Sequence, residues 1–303
     1  MRGKEIQVSR VSGGKIIIAL IIILIISLII LNSILPLAGV GGCIGLIKIQ
    51  GTISSERGLG ATDSSEIIKL LEEAEKRPDI RGIMLEINSG GGSAFASKEI
   101  YQKLKEIKKP KLAYIKDVGA SGAYLVSLGA NYIFADSTSI TGSIGARATL
   151  IDVSQSLNKL GVNITVVKSG EKKDMTDIFR QPTEEELQLI KNITDEIFYE
   201  FRDIVIKERN KSKNFNLKEF EKILDGRIIL GKEAYNLGLI DNITSRERAL
   251  EFLGEITGLG KEPGICILQP KKDFFTMLFS EFTKVLTNIR NQNSEIYMEY
   301  KWK

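Results

Sequence analysis

A serine stands between small residues in the segment Gly119–Tyr124, which reads Gly-Ala-Ser-Gly-Ala-Tyr. The apolar run before Ser121 is typical of a strand, and the apolar run after it is typical of a helix. A serine at this turn lies near a helix N-terminus, whose free N–H groups favour negative charge. The segment therefore suits a nucleophilic serine, and it equally suits a serine whose side chain only caps the helix.

The absence of histidine from the sequence limits the base that Ser121 can use. A Ser-His-Asp triad is excluded, and so is a metal held by histidine. Lysine is the known substitute among triad variants, and it acts as a base only where desolvation lowers its pKa. Lys173 lies in the charged loop Ser169–Asp177, after a predicted strand. It is a candidate base, although an ordinary solvated lysine fits the same pattern.

Three consecutive glycines, Gly90–Gly92, follow a buried strand predicted over Ile80–Asn88. Without side chains, they let backbone N–H groups turn toward a bound oxygen. A plain flexible turn is the simpler interpretation. A phosphate-binding loop is disfavoured because no Gly-Lys-Ser/Thr sequence follows.

Strand-like and helix-like segments alternate along residues 43–270, which we predict to form one compact α/β domain. The predicted strands are Cys43–Gln50, Ile80–Asn88, Lys111–Ile115, Tyr132–Asp136, Ile164–Lys168 and Ile265–Leu268. Because most of them are uniformly apolar rather than alternating, they indicate largely parallel pairing. Parallel sheets bind ligands at the carboxyl ends of their strands, where the serine and the glycines are expected.

Two amphipathic segments are predicted to form further helices. The first follows a capping box at Thr183–Glu186 and has apolar residues along one face, which we expect to pack on the core or on another subunit. The second lies within residues 271–303 and ends in an aromatic tail. Its apolar face fits packing on the core, contact between subunits, or a position on a membrane surface.

Residues 16–37 form a long apolar stretch behind a basic N-terminal segment, residues 1–15. At ~1.5 Å rise per residue the stretch spans roughly 33 Å as a helix, which is enough to cross a bilayer. The positive-inside rule then predicts a cytoplasmic N-terminus and an extracytoplasmic remainder. A cleaved signal peptide is the alternative, but the stretch is long for one and Leu37–Val40 is a poor cleavage site.

The composition limits the classes of binding partner. The net charge is only +4, and lysine and arginine are scattered among acidic residues, so nucleic acid is not expected. The two cysteines, Cys43 and Cys266, are either buried thiols or, outside the cytoplasm, a disulfide. The sequence leaves that choice open.

Four segments, in this order and spacing, resemble the motifs of the signal peptide peptidase A family: Asn88–Gly92, Gly119–Tyr124, Thr141–Gly145 and Lys168–Asp174. The resemblance covers about residues 47–243. It implies a membrane-anchored serine protease with a Ser-Lys dyad and no metal or other cofactor. It also implies a Clp protease/crotonase-like α/β fold of repeated strand-strand-helix units, here preceded by one transmembrane helix.

The resemblance also implies a role for each site residue. It matches Ser121 to the nucleophile, Lys173 to the general base, Ser143 to a serine that orients the base, and Gly92 and Gly122 to the oxyanion hole. Lys172 is a competing base. Gly90 and Ser93 depart from the family pattern, which usually has proline and glycine there.

The resemblance further implies the partners. These are peptide substrates, including cleaved signal peptides, and membrane lipid around the N-terminal helix. A ring-shaped homo-oligomer is also implied, in which the serine and lysine of one site come from adjacent subunits. The protease domain is expected outside the cytoplasmic membrane.

Three alternatives remain at this stage. The first is a related membrane protease that cuts stomatin-like partners. The second is a crotonase-type acyl-thioester enzyme, which would need a carboxylate base beside the oxyanion hole. The third is a catalytically inactive membrane scaffold.

Overall fold

A computed structural model describes residues 20–27, 41–56, 58 and 60–270. Residues 20–27 form a helix, α1, with exposed side chains. The remainder of the predicted anchor, the N-terminal segment 1–15 and the C-terminal segment 271–303 lie outside the described residues. None of the helices among those described residues is both long and apolar enough to cross a membrane. The chain divides into two compact units, Met1–Ile267 and Leu268–Lys303. The candidate site described below lies in the first unit.

Strands and helices alternate along the chain, as the sequence pattern predicted. The strands are β1 Cys43–Gln50, β2 Thr52–Ser54, β3 Ala61–Asp63, β4 Ile80–Ser89, β5 Lys111–Ala120, β6 Tyr132–Ala135, β7 Ile140–Gly142, β8 Ile228–Leu230, β9 Asn242–Ile243 and β10 Gly264–Leu268. The helices after α1 are α2 Ser64–Lys76, α3 Ala94–Glu106, α4 Gly122–Ser127, α5 Ser154–Lys159, α6 Glu184–Arg209, α7 Leu217–Glu221, α8 Gly231–Asn236 and α9 Arg246–Ile256.

The main sheet has the strand order β10-β1-β4-β5-β6-β9, and β7 pairs with the end of β5. The pairs β1–β4, β4–β5, β5–β6, β5–β7 and β6–β9 are parallel, whereas β8 runs antiparallel to β7. A small second sheet joins β2 and β3. The predicted α/β class with largely parallel pairing is therefore confirmed.

Both faces of the sheet are covered, which explains why its strands are uniformly apolar. On one face, Ile115 and Ile133 pack with Phe201 and Val205 of α6. On the opposite face, Leu112 and Phe134 pack in a cluster with residues of α9. Neighbouring residues of one strand thus enter different cores.

The strand register brings the predicted site segments to one edge of the sheet. Ser89 at the end of β4 pairs with Gly119 near the end of β5. Ala120, the last residue of β5, pairs with Gly142, the last residue of β7. The three loops that follow β4, β5 and β7 therefore start side by side.

One predicted strand is not formed. Residues 164–168 carry no strand assignment, and all residues from 161 to 170 are exposed. Apolar side chains of this stretch, such as Ile164 and Val166, remain 43% and 45% exposed. A strand needs a hydrogen-bonding neighbour, and no described part of this chain supplies one. The local apolar pattern predicted a strand but carried no information about a pairing partner, and the prediction of a strand at 164–168 was wrong.

The two cysteines are paired. Cys43 in β1 and Cys266 in β10 form a disulfide between neighbouring strands, with Cα atoms 5.7 Å apart. The structure thereby decides a question that the sequence left open.

Candidate active site

Ser121 occupies a strained turn between β5 and α4. Its backbone has φ 54° and ψ −127°, which costs a non-glycine residue about 1–3 kcal/mol. Its N–H donates to the Gly142 carbonyl at 2.9 Å, and its carbonyl accepts from the Leu125 N–H at 3.0 Å. The side chain makes no capping hydrogen bond to α4. The alternative in which Ser121 only caps the helix is therefore wrong, and its partly exposed hydroxyl is left available.

The glycine loop after β4 lies directly against this turn. The Ile53 N–H donates to the Gly91 carbonyl at 2.9 Å, and the Ser93 N–H donates to the Ile53 carbonyl at 2.8 Å. A Cβ atom on Gly92 would come within 2.0 Å of the Ile53 carbonyl oxygen, and one on Gly91 within 2.6 Å of the Gly122 nitrogen. Strand β2 therefore fixes this loop, and only glycine fits at these two positions.

Two backbone N–H groups at this junction remain without an acceptor. Within the described residues, neither Gly92 nor Gly122 donates a backbone hydrogen bond. A Cβ atom on Gly122 would lie 3.4 Å from the Gly92 nitrogen, so the two groups are close neighbours. Free, fixed N–H donors beside a serine can stabilise a developing negative charge on oxygen.

The Ser97 hydroxyl was missed by the sequence reasoning. It is completely buried and has no hydrogen-bond partner within the part of the chain that the structure describes. A Cβ atom on Gly122 would meet Ser97 Oγ at 2.3 Å, so this hydroxyl lies directly behind the oxyanion junction. An ordinary serine in a helix gives no sequence signal for such a position.

Ser143 follows β7 and faces the same space as Ser121. Its backbone also has a positive φ, 51°, and its N–H donates to the Arg227 carbonyl at 2.8 Å. A cavity of about 850 Å³ opens here, within the size range of ligand sites. One end is polar and is lined by Gly90, Gly92, Ser121, Gly122 and Ser143.

The other residues that line this cavity are both apolar and charged, and most of them belong to helices. The apolar lining residues are Leu125, Ile197, Phe201 and Ile204, and the charged ones are Lys98, Arg147 and Glu200. Lys98 and Glu200 form an ion pair with each other. The sequence predicted that the apolar face of α6 would pack on the core or on a subunit, and Phe201 is indeed buried. Ile197, by contrast, remains 40% exposed.

Lys173 lies elsewhere on the chain. It is exposed and lines a separate depression of about 350 Å³ formed by residues of the 166–177 stretch. It is not among the residues that line the cavity at Ser121. The structure thus brings together Ser121, Ser143 and the two glycines, and it does not bring the predicted base of the same chain to them.

The two adjacent lysines of this loop differ in their contacts. Lys172 Nζ forms an ion pair with Glu185 Oε2 at 2.7 Å, and this hydrogen bond raises the pKa of Lys172. A raised pKa opposes action as a base at neutral pH. The Lys173 side chain makes no hydrogen bond or ion pair with the described residues.

A largely parallel α/β sheet with a strained serine turn against a glycine loop is an arrangement that can support acyl transfer. Comparison with known proteins identifies the class of protein. Residues 103–259 match peptidase family S49, and this chain belongs to that family. The predicted resemblance to signal peptide peptidase A proteins is confirmed.

Three relatives illustrate the match. A Methanocaldococcus jannaschii protein, provisionally named a protease, is 37% identical over 65% of this chain and 63% of its own length. An Enterococcus faecium protein, provisionally named signal peptide peptidase SppA, is 36% identical over 60% of this chain and 53% of its own length. A Synechocystis protein, also provisionally named a protease, is 32% identical over 71% of this chain and 75% of its own length. The match thus spans less than two thirds of the first two relatives.

Proposed function

We propose that this S49 peptidase is a membrane-anchored serine endopeptidase with a Ser-Lys dyad, acting on apolar or unfolded peptides, including cleaved signal peptides. One observation carries the proposal. The strained turn at Ser121 holds a hydroxyl that makes no capping hydrogen bond, beside the N–H groups of Gly92 and Gly122, which have no acceptor among the described residues. These groups line a cavity that also has apolar lining residues.

The proposed mechanism has two steps. A neutral lysine takes the proton of Ser121 Oγ, the oxygen attacks the scissile carbonyl carbon, and the lysine returns the proton to the leaving amine. The N–H groups of Gly92 and Gly122 hold the oxyanion, and one such donor is typically worth ~3 kcal/mol. Water activated by the same lysine then hydrolyses the acyl-enzyme and restores Ser121.

Lys173 is the proposed base, and Ser143 is proposed to orient it. Lys172 is the weaker candidate because Glu185 holds its ammonium group. Since Lys173 does not line the cavity of its own chain, we propose that it serves Ser121 of an adjacent subunit in a ring-shaped homo-oligomer. The unpaired, apolar stretch 162–168 supports this assembly, because a second chain would supply the contacts it lacks.

The location is part of the proposal. Residues 16–37 would anchor the chain with residues 1–15 in the cytoplasm and the protease domain outside. The disulfide between Cys43 and Cys266 supports an oxidising compartment for that domain. Apolar lining residues such as Leu125, Ile197 and Phe201 suit hydrophobic peptides such as cleaved signal peptides.

The test is hydrolysis of a fluorogenic apolar peptide by detergent-solubilised protein. We expect Ser121→Ala and Lys173→Ala each to reduce turnover to the background rate, and Lys172→Ala to leave most of it. Co-expression of the Ser121→Ala and Lys173→Ala chains should restore part of the activity, because mixed assemblies contain some sites with both intact residues.

Other outcomes separate the alternatives. No recovery in the mixture would place serine and lysine of each site in the same chain. Full activity of Ser121→Ala would overturn the mechanism. An inert wild type would bring forward the acyl-thioester and scaffold interpretations, and cleavage only of stomatin-like segments would favour the related membrane protease.

A further inference from the structure

The loop that carries Lys173 is held together by short turns. The Lys173 N–H donates to the Gly170 carbonyl at 3.1 Å, and the Asp177 N–H donates to the Asp174 carbonyl at 3.0 Å. No described strand pairs with this loop. Such local turns do not by themselves fix a loop on the rest of the molecule, so other contacts must do so.

The guanidinium group of Arg180 provides these contacts, because it bridges two buried carboxylates. Its Nη2 and Nε atoms donate to Asp174 at 2.6 and 3.0 Å, and its Nη1 and Nη2 atoms donate to Glu186 at 2.8 and 2.7 Å. The Asp174 and Glu186 side chains are only 8% and 3% exposed. The two-point geometry on each side makes this a directional contact that lysine would not reproduce.

The far side of this bridge is the first turn of α6, which is itself fixed. Glu186 belongs to the capping box, where it accepts from the Thr183 N–H at 2.8 Å. The hydrogen bond from Arg180 lowers the pKa of Glu186 to about 2, so the carboxylate stays charged at neutral pH. Arg180 therefore connects the loop Ser169–Asp177, which carries Lys173, to the capped first turn of α6.

Both sequence neighbours of Lys173 form ion pairs, whereas the Lys173 side chain forms none with the described residues. Asp174 is bound by Arg180 and by Lys168, whose Nζ lies 2.6 Å from Asp174 Oδ1. Lys172 is bound by Glu185 of α6. The buried Asp174 therefore fixes the backbone next to Lys173, whereas the exposed Lys172–Glu185 pair adds little, and the Lys173 side chain stays exposed.

We propose that Arg180 is a positioning residue for the base: through Asp174 and Glu186 it holds the loop on the start of α6 so that Lys173 is presented to Ser121. This inference rests on the proposed function. Arg180 acts through other residues and touches no reacting atom. Because Lys173 does not line the cavity that would take the peptide, loss of Arg180 should affect the chemical step rather than substrate binding.

The experiment compares three variants in the full-length assembly: Arg180→Ala, Arg180→Lys and Arg77→Ala. Arg77 is the matched control, because it also pairs with two carboxylates, Glu73 and Asp79, but at the exposed end of α2. The readouts are kcat and KM for the fluorogenic peptide, and amide hydrogen exchange of residues 169–177.

We expect Arg180→Ala to lower kcat at least 10-fold with KM changed less than 2-fold, and to speed exchange in the loop. Arg180→Lys should recover part of kcat, and Arg77→Ala should match the wild type in every readout. A wild-type kcat in Arg180→Ala would overturn the proposal, and so would an equal loss in Arg77→Ala.

Failed assembly of Arg180→Ala and an inert wild type are two further outcomes. Should Arg180→Ala fail to assemble, Glu186→Gln replaces it, since it keeps the capping oxygen but weakens the bridge, and an unchanged kcat there overturns the proposal. An inert wild type would refute the proposed function, and with it the positioning of a base. Loop exchange would then test only the structural part: unchanged exchange in Arg180→Ala would show that Arg180 does not hold the loop either.

Discussion

The serine region and the lysine region of this protein are built in different ways. Strand register and backbone hydrogen bonds hold Ser121, whose turn lies between the ends of β4, β5 and β7. Side-chain ion pairs hold the loop of Lys173, which lies on an exposed stretch without strand partners. The first region is held entirely by contacts within one chain, whereas in the second the proposed base, Lys173, is exposed and does not line the cavity.

This difference shows which contacts position each half of the proposed site. An oxyanion site needs backbone donors fixed to fractions of an ångström, and a buried parallel sheet supplies that rigidity. A base that serves another subunit must instead be displayed at a surface. Ion pairs on a helix end can hold a loop there without burying it.

The largest effect on activity is expected from a substitution in the serine region, at Gly92. Gly92→Ala would place a Cβ atom 2.0 Å from the Ile53 carbonyl oxygen, so the loop must move and would displace the N–H group proposed to bind the oxyanion. We expect kcat/KM to fall by about 10²–10³. Gly264→Ala, in β10 and outside the cavity lining, is the control. Its added Cβ atom would come no closer than 3.6 Å to the nearest atom, the Gly42 carbonyl oxygen, and the variant should stay close to wild type. Equal losses in both variants would contradict this account of the loop.

The second prediction concerns the far edge of the same sheet. Replacing both Cys43 and Cys266 by serine removes a cross-link between residues 223 positions apart in sequence. We expect the free energy of unfolding to fall by about 2–5 kcal/mol. Activity at 25 °C should be retained because β1 and β4 lie between β10 and β5, the strand that leads into the serine turn. Denaturant unfolding of both proteins, with and without reductant, measures the change, and a wild type indifferent to reductant would argue against it.

The third prediction sharpens the role of the exposed stretch beside the lysine loop. Ile164→Asp places a charge on a side chain that is 43% exposed in the single chain. If this stretch contacts another subunit, the assembly should dissociate and activity should fall at least 10-fold. Analytical ultracentrifugation in detergent gives the oligomeric state. Lys159→Asp, at the end of α5, is the control and should leave the assembly intact.

The fourth prediction uses pH to separate the two regions. Arg180 lowers the folded-state pKa of Glu186 to about 2, below the unfolded value of ~4.3. The stabilisation is therefore fully present above about pH 4.5 and is lost as the pH falls toward 2. Hydrogen-exchange protection, measured relative to the intrinsic exchange rate at each pH, should fall in residues 169–177 over this range before it falls in β4 and β5. Simultaneous loss of protection in both regions would contradict the prediction.

The smallest expected effect lies beneath the serine turn. The buried Tyr124 hydroxyl donates to the Leu239 carbonyl at 2.7 Å. Tyr124→Phe leaves that carbonyl without its donor, so we expect a loss of about 1 kcal/mol in unfolding free energy and little change in kcat. Thermal unfolding and the peptide assay check both parts. A large loss of kcat would show that the serine turn is less rigid than its backbone bonds indicate.

Sequence alone determined much of this protein. Uniformly apolar strands and the residues around Ser121 gave the α/β class and the position of the turn, because burial and turn chemistry leave local patterns. The absence of histidine restricted the base to other residue types. The order of four motifs identified the family, which the match over residues 103–259 confirmed.

Only the tertiary structure decided which of these segments lie next to each other. It joined the loops after β4, β5 and β7, paired Cys43 with Cys266, and left residues 164–168 without a strand partner. It also placed Lys173 outside the Ser121 cavity and revealed the bridge through Arg180. These contacts join residues far apart in the chain, and strand register and side-chain packing over such distances leave no local periodicity to read.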